Sequence, residues 1–169
     1  KANDMLDKLC EFFRYSLDKN DKSVSTVQQE LELLDLYLSI EKVRFGERLN
    51  IELDIAREVL NCQVPSMLLQ PLVENAIKYA VELRKEKGTI MIRAHRVGDR
   101  LQISVIDEGK EISHKAEEGF GIGISNTRAR LDAMFNSDFE LNFSNSLPHG
   151  TTVSISMPFS YEARMEVKI

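Results

Sequence analysis

The apolar residues of this chain change their spacing at residue 49, and this change limits the fold more than any other feature. Upstream of it, apolar residues recur at alternating intervals of four and three, which places them on one face of a helix: Val27, Leu31, Leu34 and Leu38. From Leu49 to Ile55, apolar and polar residues alternate, as in a strand with one buried face. The sequence therefore predicts a helical segment followed by a domain that contains both strands and helices.

The N-terminal segment is predicted to be a pair of helices. The first helix runs to about Leu17 and is interrupted by the polar residues 18–21. The second begins at Ser25 or Thr26, because either residue, with a glutamine three positions later, fits a capping box. It ends near Gly46, since glycine commonly terminates a helix.

The rest of the chain is predicted to contain strands and helices in succession. A helix is expected over 67–81, with Pro71 in its first turn or at a kink, and another around 125–135. Further strands are expected over 89–94, 101–106, 139–143 and 151–157. The predicted fold class is α+β, an N-terminal helical hairpin followed by a mixed sheet that helices cover on one face.

Composition and charge exclude several classes of function. The 169 residues include 22 Lys and Arg against 27 Asp and Glu, a net charge of −5, which argues against direct nucleic-acid binding. Cys10 and Cys62 have no Cys or His neighbours at metal spacing, which predicts reduced thiols and excludes a structural zinc site. No apolar run reaches the roughly 18 residues that a membrane span needs. A chain that begins inside a helix without methionine is expected to be a fragment.

Four polar or glycine-containing segments occur in a recognisable order. They are QPLVENAIKY at 70–79, DEG at 107–109, GFGIGISN at 119–126 and GTT at 150–152. This order resembles the N, G1, G2 and G3 boxes of the GHKL superfamily, which includes gyrase, MutL, the heat-shock chaperone and histidine kinases. The resemblance implies the Bergerat fold, an α/β sandwich that holds ATP.

A second set of segments narrows the resemblance to LytS-like sensor histidine kinases. It comprises RYSL at 14–17, ELEL at 30–33, YL at 37–38, IE at 40–41, RFG at 44–46, RL at 48–49 and LLQPLVENA at 68–76. The resemblance extends from about residue 14 to residue 158. It implies that residues 1–47 are the end of the dimerisation helices, residues 48–160 the ATP-binding domain and residues 161–169 a C-terminal tail.

Within the first box, Asn75 and Lys78 lie one turn apart on the same helical face. An asparagine carbonyl can bind Mg²⁺, which bridges phosphate oxygens, and a lysine can neutralise their charge. Tyr79 stands where the family often has histidine, and it can stack on adenine or ribose or pack at the rim. Without the other boxes, these residues would fit the polar edge of any amphipathic helix.

Asp107 follows a predicted strand and is the candidate for adenine recognition. A carboxylate there can accept a hydrogen bond from the exocyclic amine of adenine, and Gly109 lets the backbone approach the base closely. By resemblance, Thr151 joins Asp107 beneath the adenine. The alternative is structural, because an Asp-Glu-Gly turn after a strand and a threonine within a strand are both common.

Three glycines are predicted to precede the last helix: Gly119, Gly121 and Gly123. Their backbone amides and the helix N-terminus can face phosphates. The spacing G-x-G-x-G, with no strand directly before it, excludes a dinucleotide-binding Rossmann motif. By resemblance, Asn126 helps to hold the triphosphate. Arg128 and Arg130 either do the same or lie on a solvated helix face.

Four positions bear on activity because of how they compare with the family pattern. Glu111 replaces the second glycine of the G1 box and His149 the first glycine of the G3 box, which predicts weaker ATP binding or a different closure of the lid. Pro71 occupies the position of the general-base glutamate of hydrolytic relatives such as gyrase, which favours phosphoryl transfer over hydrolysis. Glu74 is the candidate base near the attacking imidazole, with a surface acid as the alternative.

The histidines of this chain do not fit the phosphoacceptor of LytS-like kinases, which lies in a Pro-His-Phe-type motif. His95 lies in a predicted strand, His114 in the predicted lid and His149 in a turn, so all three are expected at the surface. We therefore expect the phosphoacceptor upstream of this chain. The chain alone would bind nucleotide without phosphorylating itself on histidine.

The resemblance implies an ATP-binding catalytic domain of a two-component sensor kinase. Such a domain transfers the γ-phosphoryl of ATP, with Mg²⁺, to the upstream histidine, from which it passes to a response regulator, typically a DNA-binding one. The resemblance also implies a homodimer through the N-terminal helices and a cytoplasmic position beneath a membrane sensor. The alternative is a degenerate Bergerat-fold scaffold with weak or no ATP turnover. An anti-sigma-type serine/threonine kinase would share the boxes but lack the signatures at 14–17 and 44–49.

Overall fold

The computed structural model describes residues 2–20, 23–109, 121–146 and 148–161. Its α-helices are α1 (Ala2–Asn20), α2 (Val27–Phe45), α3 (Leu69–Ile77) and α4 (Gly121–Phe135). Its strands are β1 (Val24–Thr26), β2 (Leu49–Ile55), β3 (Gln63–Pro65), β4 (Gly88–Val97), β5 (Arg100–Asp107), β6 (Glu140–Asn145) and β7 (Thr151–Pro158). A π-helix, Lys78–Glu82, extends α3, and short 3-10 helices span Gly46–Arg48 and Arg57–Val59.

Five of the strands form one mixed sheet in the order β2, β4, β5, β7, β6. β2 is parallel to β4, and the other neighbouring strands are antiparallel. The register of β5 and β7 pairs Asp107 with Thr151, so two residues that are far apart in sequence become neighbours. β1 and β3 form a separate antiparallel pair. The predicted α+β architecture with a mixed sheet is confirmed.

One face of the mixed sheet is buried in a core that it shares with α3 and α4. Every second residue of the three central strands is buried: Ile90, Ile92, Ala94, Leu101, Ile103, Val105, Val153, Ile155 and Met157. The helices contribute Leu69, Leu72, Val73, Ala76, Ile77, Ile124, Leu131 and Phe135. Alternate residues such as Arg93 and Gln102 are exposed on the opposite face. Among the residues that the structure describes, helices therefore cover one face of the sheet, as the alternating pattern indicates.

α2 begins at the second of its two predicted caps. The Thr26 hydroxyl accepts a hydrogen bond from the Gln29 backbone N–H at 3.2 Å, and the Gln29 side chain accepts one from the Thr26 N–H at 3.1 Å. Ser25 lies one residue earlier, buried within β1. The helix ends before Gly46, whose φ of 56° favours glycine.

Two helices have bounds that differ from the prediction. α1 continues through the polar residues 18–20. α4 begins at Gly121 rather than near Ser125, so Gly121 and Gly123 lie in its first turn and not before it. Apolar periodicity marks the buried face of a helix, and a polar or glycine-containing end carries no such signal. Within the described parts of the chain, no helix is both long and apolar enough to cross a bilayer.

We expect Thr26→Ala to lower the free energy of unfolding by about 1 kcal/mol, because it removes the acceptor for the Gln29 amide at the start of α2. Thr26→Ser keeps the hydroxyl and is the matched control. Urea unfolding of the three proteins measures the difference. Equal stability of the alanine variant and the wild type would show that this cap contributes nothing.

Candidate functional site

The first turn of α3 is bonded to a buried carboxylate that α2 supplies. Oε1 of Glu30 accepts a hydrogen bond from Met67 N at 3.1 Å, and Oε2 accepts bonds from Leu68 N and Leu69 N at 2.8 and 3.3 Å. Glu30 is only 2% exposed. Amides at a helix start have no acceptor within the helix, so the carboxylate satisfies them and also faces the positive end of the helix dipole.

The other end of α3 is held by arginines from the end of α2 and the 3-10 helix that follows it. Arg48 Nη2 donates to the carbonyl of Val81 at 2.7 Å and to the carbonyl of Arg84. Arg44 forms an ion pair with Glu82 at 2.7 Å. Cations near the last carbonyls of a helix complement its dipole. The α2 segment therefore contacts the α3 segment at both ends.

The π-helix brings the end of α3 against the end of β5. A Cβ atom added to Gly109 would lie 3.0 Å from the carbonyl oxygen of Tyr79, and one added to Gly88 would lie 2.6 Å from that of Ala80. Side chains are therefore disfavoured at both glycines. Wide π-type turns occur frequently at functional sites. This contact places the predicted N and G1 boxes side by side.

One side of the helical segment carries Asn75 together with Lys78 and Tyr79, which follow it by three and four positions. Asn75 and Tyr79 are half-buried, whereas Lys78 is exposed. The Lys78 Nζ lies 5.5 Å from the centre of the Tyr79 ring, within the range of a cation–π contact. A cation, an amide and an aromatic ring are thus grouped beside the end of β5.

Glu74 is exposed, and its negative charge contributes to the raised pKa values of Tyr37 and Glu41 on α2. Gln70, which is buried, donates from Nε2 to Glu74 Oε1 at 2.7 Å. Burial and then the charges of Glu41 and Glu74 raise the pKa of Tyr37. Burial also raises the pKa of Glu41, and the charge of Arg44 opposes that shift. Glu74 is therefore held by a buried amide at the boundary between α3 and α2.

Asp107 ends β5 with its carboxylate buried, only 3% exposed. The N–H of Gly109 donates to Oδ1 at 2.7 Å, and the backbone of Thr151 also hydrogen-bonds to the carboxylate. Burial raises the pKa of Asp107 to about 6, although these two hydrogen bonds and the charge of Arg84 act to lower it. A desolvated carboxylate of this kind gains stability from any further hydrogen-bond donor.

Gly150 makes room for the backbone of Asp107. Its φ is 118°, and a Cβ atom added there would lie 1.9 Å from the Asp107 carbonyl oxygen. Only glycine fits such a position. His149, the preceding residue, is exposed. The turn requires glycine at position 150, and Gly150 is present even though His149 replaces the first glycine of the G3 box.

The first turn of α4 lies against the first turn of α3. A Cβ atom on Gly123 would meet the Cβ of Pro71 at 3.4 Å, and Thr127 Oγ1 donates to the carbonyl of Gly123 at 3.0 Å. Asn126 is exposed on the same helix. The predicted N and G2 boxes are therefore adjacent. Several predicted positions lie outside the described residues: Glu111, His114, Gly119, Phe120 and residues 162–169 of the predicted tail.

Arg130 bonds to the turn that precedes α3. Its Nη1 donates to the carbonyls of Ser66 at 3.0 Å and Met67 at 3.3 Å. Met67 has a φ of 60°, which is uncommon for a residue with a side chain. The sequence patterns predict neither this contact nor the one from Glu30. The contact from Glu30 did have a signal in the sequence, because Glu30 is an acidic residue on the apolar face of α2, three residues after Val27.

Two of the three histidines lie within the described residues. His95 Nε2 lies 3.0 Å from Asp54 Oδ1 on the side of the sheet that helices leave uncovered, and the side chains of both residues are about half exposed. His149 is exposed in the turn before β7. Both positions agree with the expected surface location.

Two family models match the chain. Residues 1–49 match the histidine kinase family, and residues 65–161 match the family of histidine kinase-, DNA gyrase B- and HSP90-like ATPases. Sensor protein LytS of Staphylococcus saprophyticus is 34% identical, over 94% of this chain and 29% of LytS. Sensor histidine kinase YpdA of Escherichia coli is 32% identical, over 93% of this chain and 28% of YpdA. The chain thus spans less than a third of the length of these relatives.

Solved structures of similar fold include histidine kinases. The catalytic domain of histidine kinase ThkA superposes with a TM-score of 0.62 at 19% identity, covering 83% of this chain and 97% of that one. The histidine kinase domain of the blue-light activated kinase of Erythrobacter litoralis EL346 also gives 0.62 at 19% identity, covering 91% and 74%. These matches confirm the fold, and the sequence matches confirm the resemblance to LytS-like kinases.

We expect Asp107→Asn to stabilise the folded chain at neutral pH. The folded-state pKa of Asp107, about 6, exceeds the ordinary value, so ionisation of Asp107 favours the unfolded chain. Relative to the variant, the wild type should lose about 2 kcal/mol of unfolding free energy as pH rises from about 4 to about 7. Urea unfolding across this range measures the loss. Asp35→Asn, which changes an exposed carboxylate on α2, serves as the control. A pH-independent difference between Asp107→Asn and wild type would contradict the assignment.

Proposed function

The chain belongs to the family of histidine kinase-, DNA gyrase B- and HSP90-like ATPases, and on this premise we propose that it is the ATP-binding catalytic domain of a two-component sensor histidine kinase. One observation supports the proposal above others. The carboxylate of Asp107 is buried at the end of β5, between Gly109 and Thr151, with the N-box helix packed beside it.

Asp107 is the residue that recognises adenine in this proposal. An ionised carboxylate accepts a hydrogen bond from the exocyclic amine of adenine, whereas guanine presents an oxygen at that position. Gly109 lets the backbone beside Asp107 pack against the backbone of Tyr79, and Thr151 lies beside Asp107 in the register of the sheet. Tyr79 offers an aromatic face at the rim. The raised pKa of Asp107 increases the gain from an added donor.

The phosphates bind between α3 and α4. Lys78 supplies positive charge, and Asn126 supplies a polar side chain from α4. The first turn of α4, with Gly121 and Gly123, offers backbone amides, and a helix N-terminus favours an anion. Gly119 completes the glycine set by resemblance. These groups come from elements that are in contact at Gly123 and Pro71.

Mg²⁺ is the metal that these residues suit. Within the described residues no group of three or more His, Cys, Asp or Glu could hold a metal ion. Mg²⁺ is commonly bound through one or two protein oxygens together with substrate phosphates. The half-buried Asn75 supplies one such oxygen on α3. When bound, the ion neutralises charge on the transferring phosphoryl group.

Phosphoryl transfer, not hydrolysis, is the proposed reaction. Pro71, which lies in the first turn of α3, cannot accept a proton where hydrolytic relatives carry glutamate. Glu74 is the proposed base: it takes the imidazole proton while the histidine nitrogen bonds to the γ-phosphorus and the bond to ADP breaks. Gln70 orients one Glu74 oxygen at 2.7 Å. The phosphoryl group then passes from histidine to a response-regulator aspartate.

The partners are those of a sensor kinase. The phosphoacceptor histidine lies in a segment outside this chain, and a membrane sensor precedes it, so this domain lies on the cytoplasmic side. A homodimer forms through the N-terminal helices, where α1 exposes Leu6, Phe13 and Leu17 between 55% and 66%. Apolar side chains exposed along one helix commonly mark a surface that another helix covers. A response regulator, typically DNA-binding, receives the phosphoryl group.

Calorimetric titration of this chain with ATP and Mg²⁺ tests the proposal. We expect ATP affinity to fall by about tenfold or more in Asp107→Asn, because this variant lacks the charged acceptor for the adenine amine. In Asn75→Ala, we expect ATP binding to lose its dependence on Mg²⁺. GTP should bind weakly. Asp54→Asn, an exposed carboxylate on β2, is the matched control.

The pH dependence of ATP binding adds a second readout. As pH falls through about 6, Asp107 becomes protonated and its acceptor strength falls, so wild-type affinity should drop relative to that of Asp107→Asn. Comparison at each pH cancels the titration of ATP itself. A chain that binds no ATP at millimolar concentration would overturn the proposed function and leave a scaffold role.

A further inference from the structure

The carboxylate of Glu30 joins α2 to the start of α3 by hydrogen bonds. It is buried, and it accepts three backbone hydrogen bonds, from Met67, Leu68 and Leu69. A buried carboxylate is costly unless hydrogen bonds satisfy its oxygens. Here both oxygens are bonded to the same turn. The position of this turn and the position of α2 are therefore linked.

The same turn is bonded to α4 from its other side. Arg130 donates to the carbonyls of Ser66 and Met67 at 3.0 and 3.3 Å. Met67 has a positive φ of 60°, a conformation that a residue with a side chain keeps only when its surroundings hold it. Glu30 binds the N–H groups of this turn and Arg130 binds its C=O groups. The turn thus joins three helices.

Two of these helices form the proposed phosphate site. α3 carries Asn75 and Lys78, and α4 carries Gly123 and Asn126. The two helices are in contact where Gly123 of α4 lies against Pro71 of α3. Pro71 follows Leu69 by two residues, and the Leu69 N–H is the last of the three that donate to Glu30. A shift of the turn would therefore change the separation of the groups that hold phosphate. Asp107 lies on β5 and is bonded to Gly109 and Thr151, not to this turn.

We propose that Glu30 and Arg130 are positioning residues for the nucleotide phosphates, which act by fixing the turn at residues 66–69. Neither touches the nucleotide. Because Glu30 belongs to α2, the affinity for the triphosphate depends on how α2 is placed against α3. The inference rests on the proposed function, since it assumes that the chain binds ATP.

The test compares ATP with adenosine, which lacks phosphates. Affinities are measured by calorimetry for Glu30→Gln, Arg130→Met and the double variant, at a temperature where circular dichroism shows each protein folded. We expect ATP affinity to fall by about tenfold in each single variant. Adenosine affinity should not change, because Asp107 is held independently. The double variant should be no weaker than the weaker single variant, because both changes release the same turn.

Two control variants separate positioning from general destabilisation. Glu32→Gln changes an exposed carboxylate on α2 that bonds to Gln28 and not to α3. Arg96→Met removes an arginine that stacks on Phe159 at the end of β4 remote from Asp107. Both should keep wild-type affinities. If Glu30→Gln does not fold, Glu30→Asp retains the charge with a shorter reach and should give a smaller loss of ATP affinity.

The outcomes are distinguishable. Unchanged ATP affinity in the folded variants, or equal losses for ATP and adenosine, would overturn the positioning role while leaving the proposed function intact. Strictly additive losses in the double variant would show that the two residues act separately, which also contradicts the inference. Failure of the unaltered chain to bind either compound would overturn the proposed function, and the inference with it.

Discussion

The carboxylate of Glu30, buried against the first amides of α3, is the interaction on which the arrangement of the candidate site depends. It places a negative charge at the N-terminus of α3, and Arg48 places a positive charge near the carbonyls that end the π-helix. Each charge is opposite in sign to the end of the helix dipole that it faces, so both interactions are favourable. The segment that contains α2 thereby fixes α3 from both ends, and α3 carries Asn75 and Lys78.

The opposite side of the site is built from glycines and a desolvated acid. Gly150 and Gly109 allow two backbone segments to approach Asp107 more closely than any side chain would permit. The resulting burial raises the pKa of Asp107 and makes its ionisation unfavourable for folding. A destabilised carboxylate at the end of a strand is typical of a group kept for binding. The burial of Asp107 therefore lowers the stability of the folded chain while it favours the proposed recognition of adenine.

Local signals in the sequence predicted much of this fold, whereas distant contacts were missed. The capping box of Thr26 and Gln29 and the strand at 49–55 depend on neighbouring residues, and both are present. The bonds from Glu30 and Arg130 join residues about 37 and 64 positions apart, which no local pattern encodes. The π-helix was missed for the same reason, because its last turn is held by Arg48. The roles of the site residues stay predictions.

Hydrogen exchange at the amides of Met67, Leu68 and Leu69 tests most directly whether α2 fixes the start of α3. These amides begin a helix, where exchange is ordinarily fast because no intrahelical acceptor exists. The bonds to Glu30 predict exchange as slow as that of Ile103 in the central strand β5, and rapid exchange at these three amides in Glu30→Gln. Fast exchange in the unaltered chain, at the rate of an exposed turn, would contradict the account.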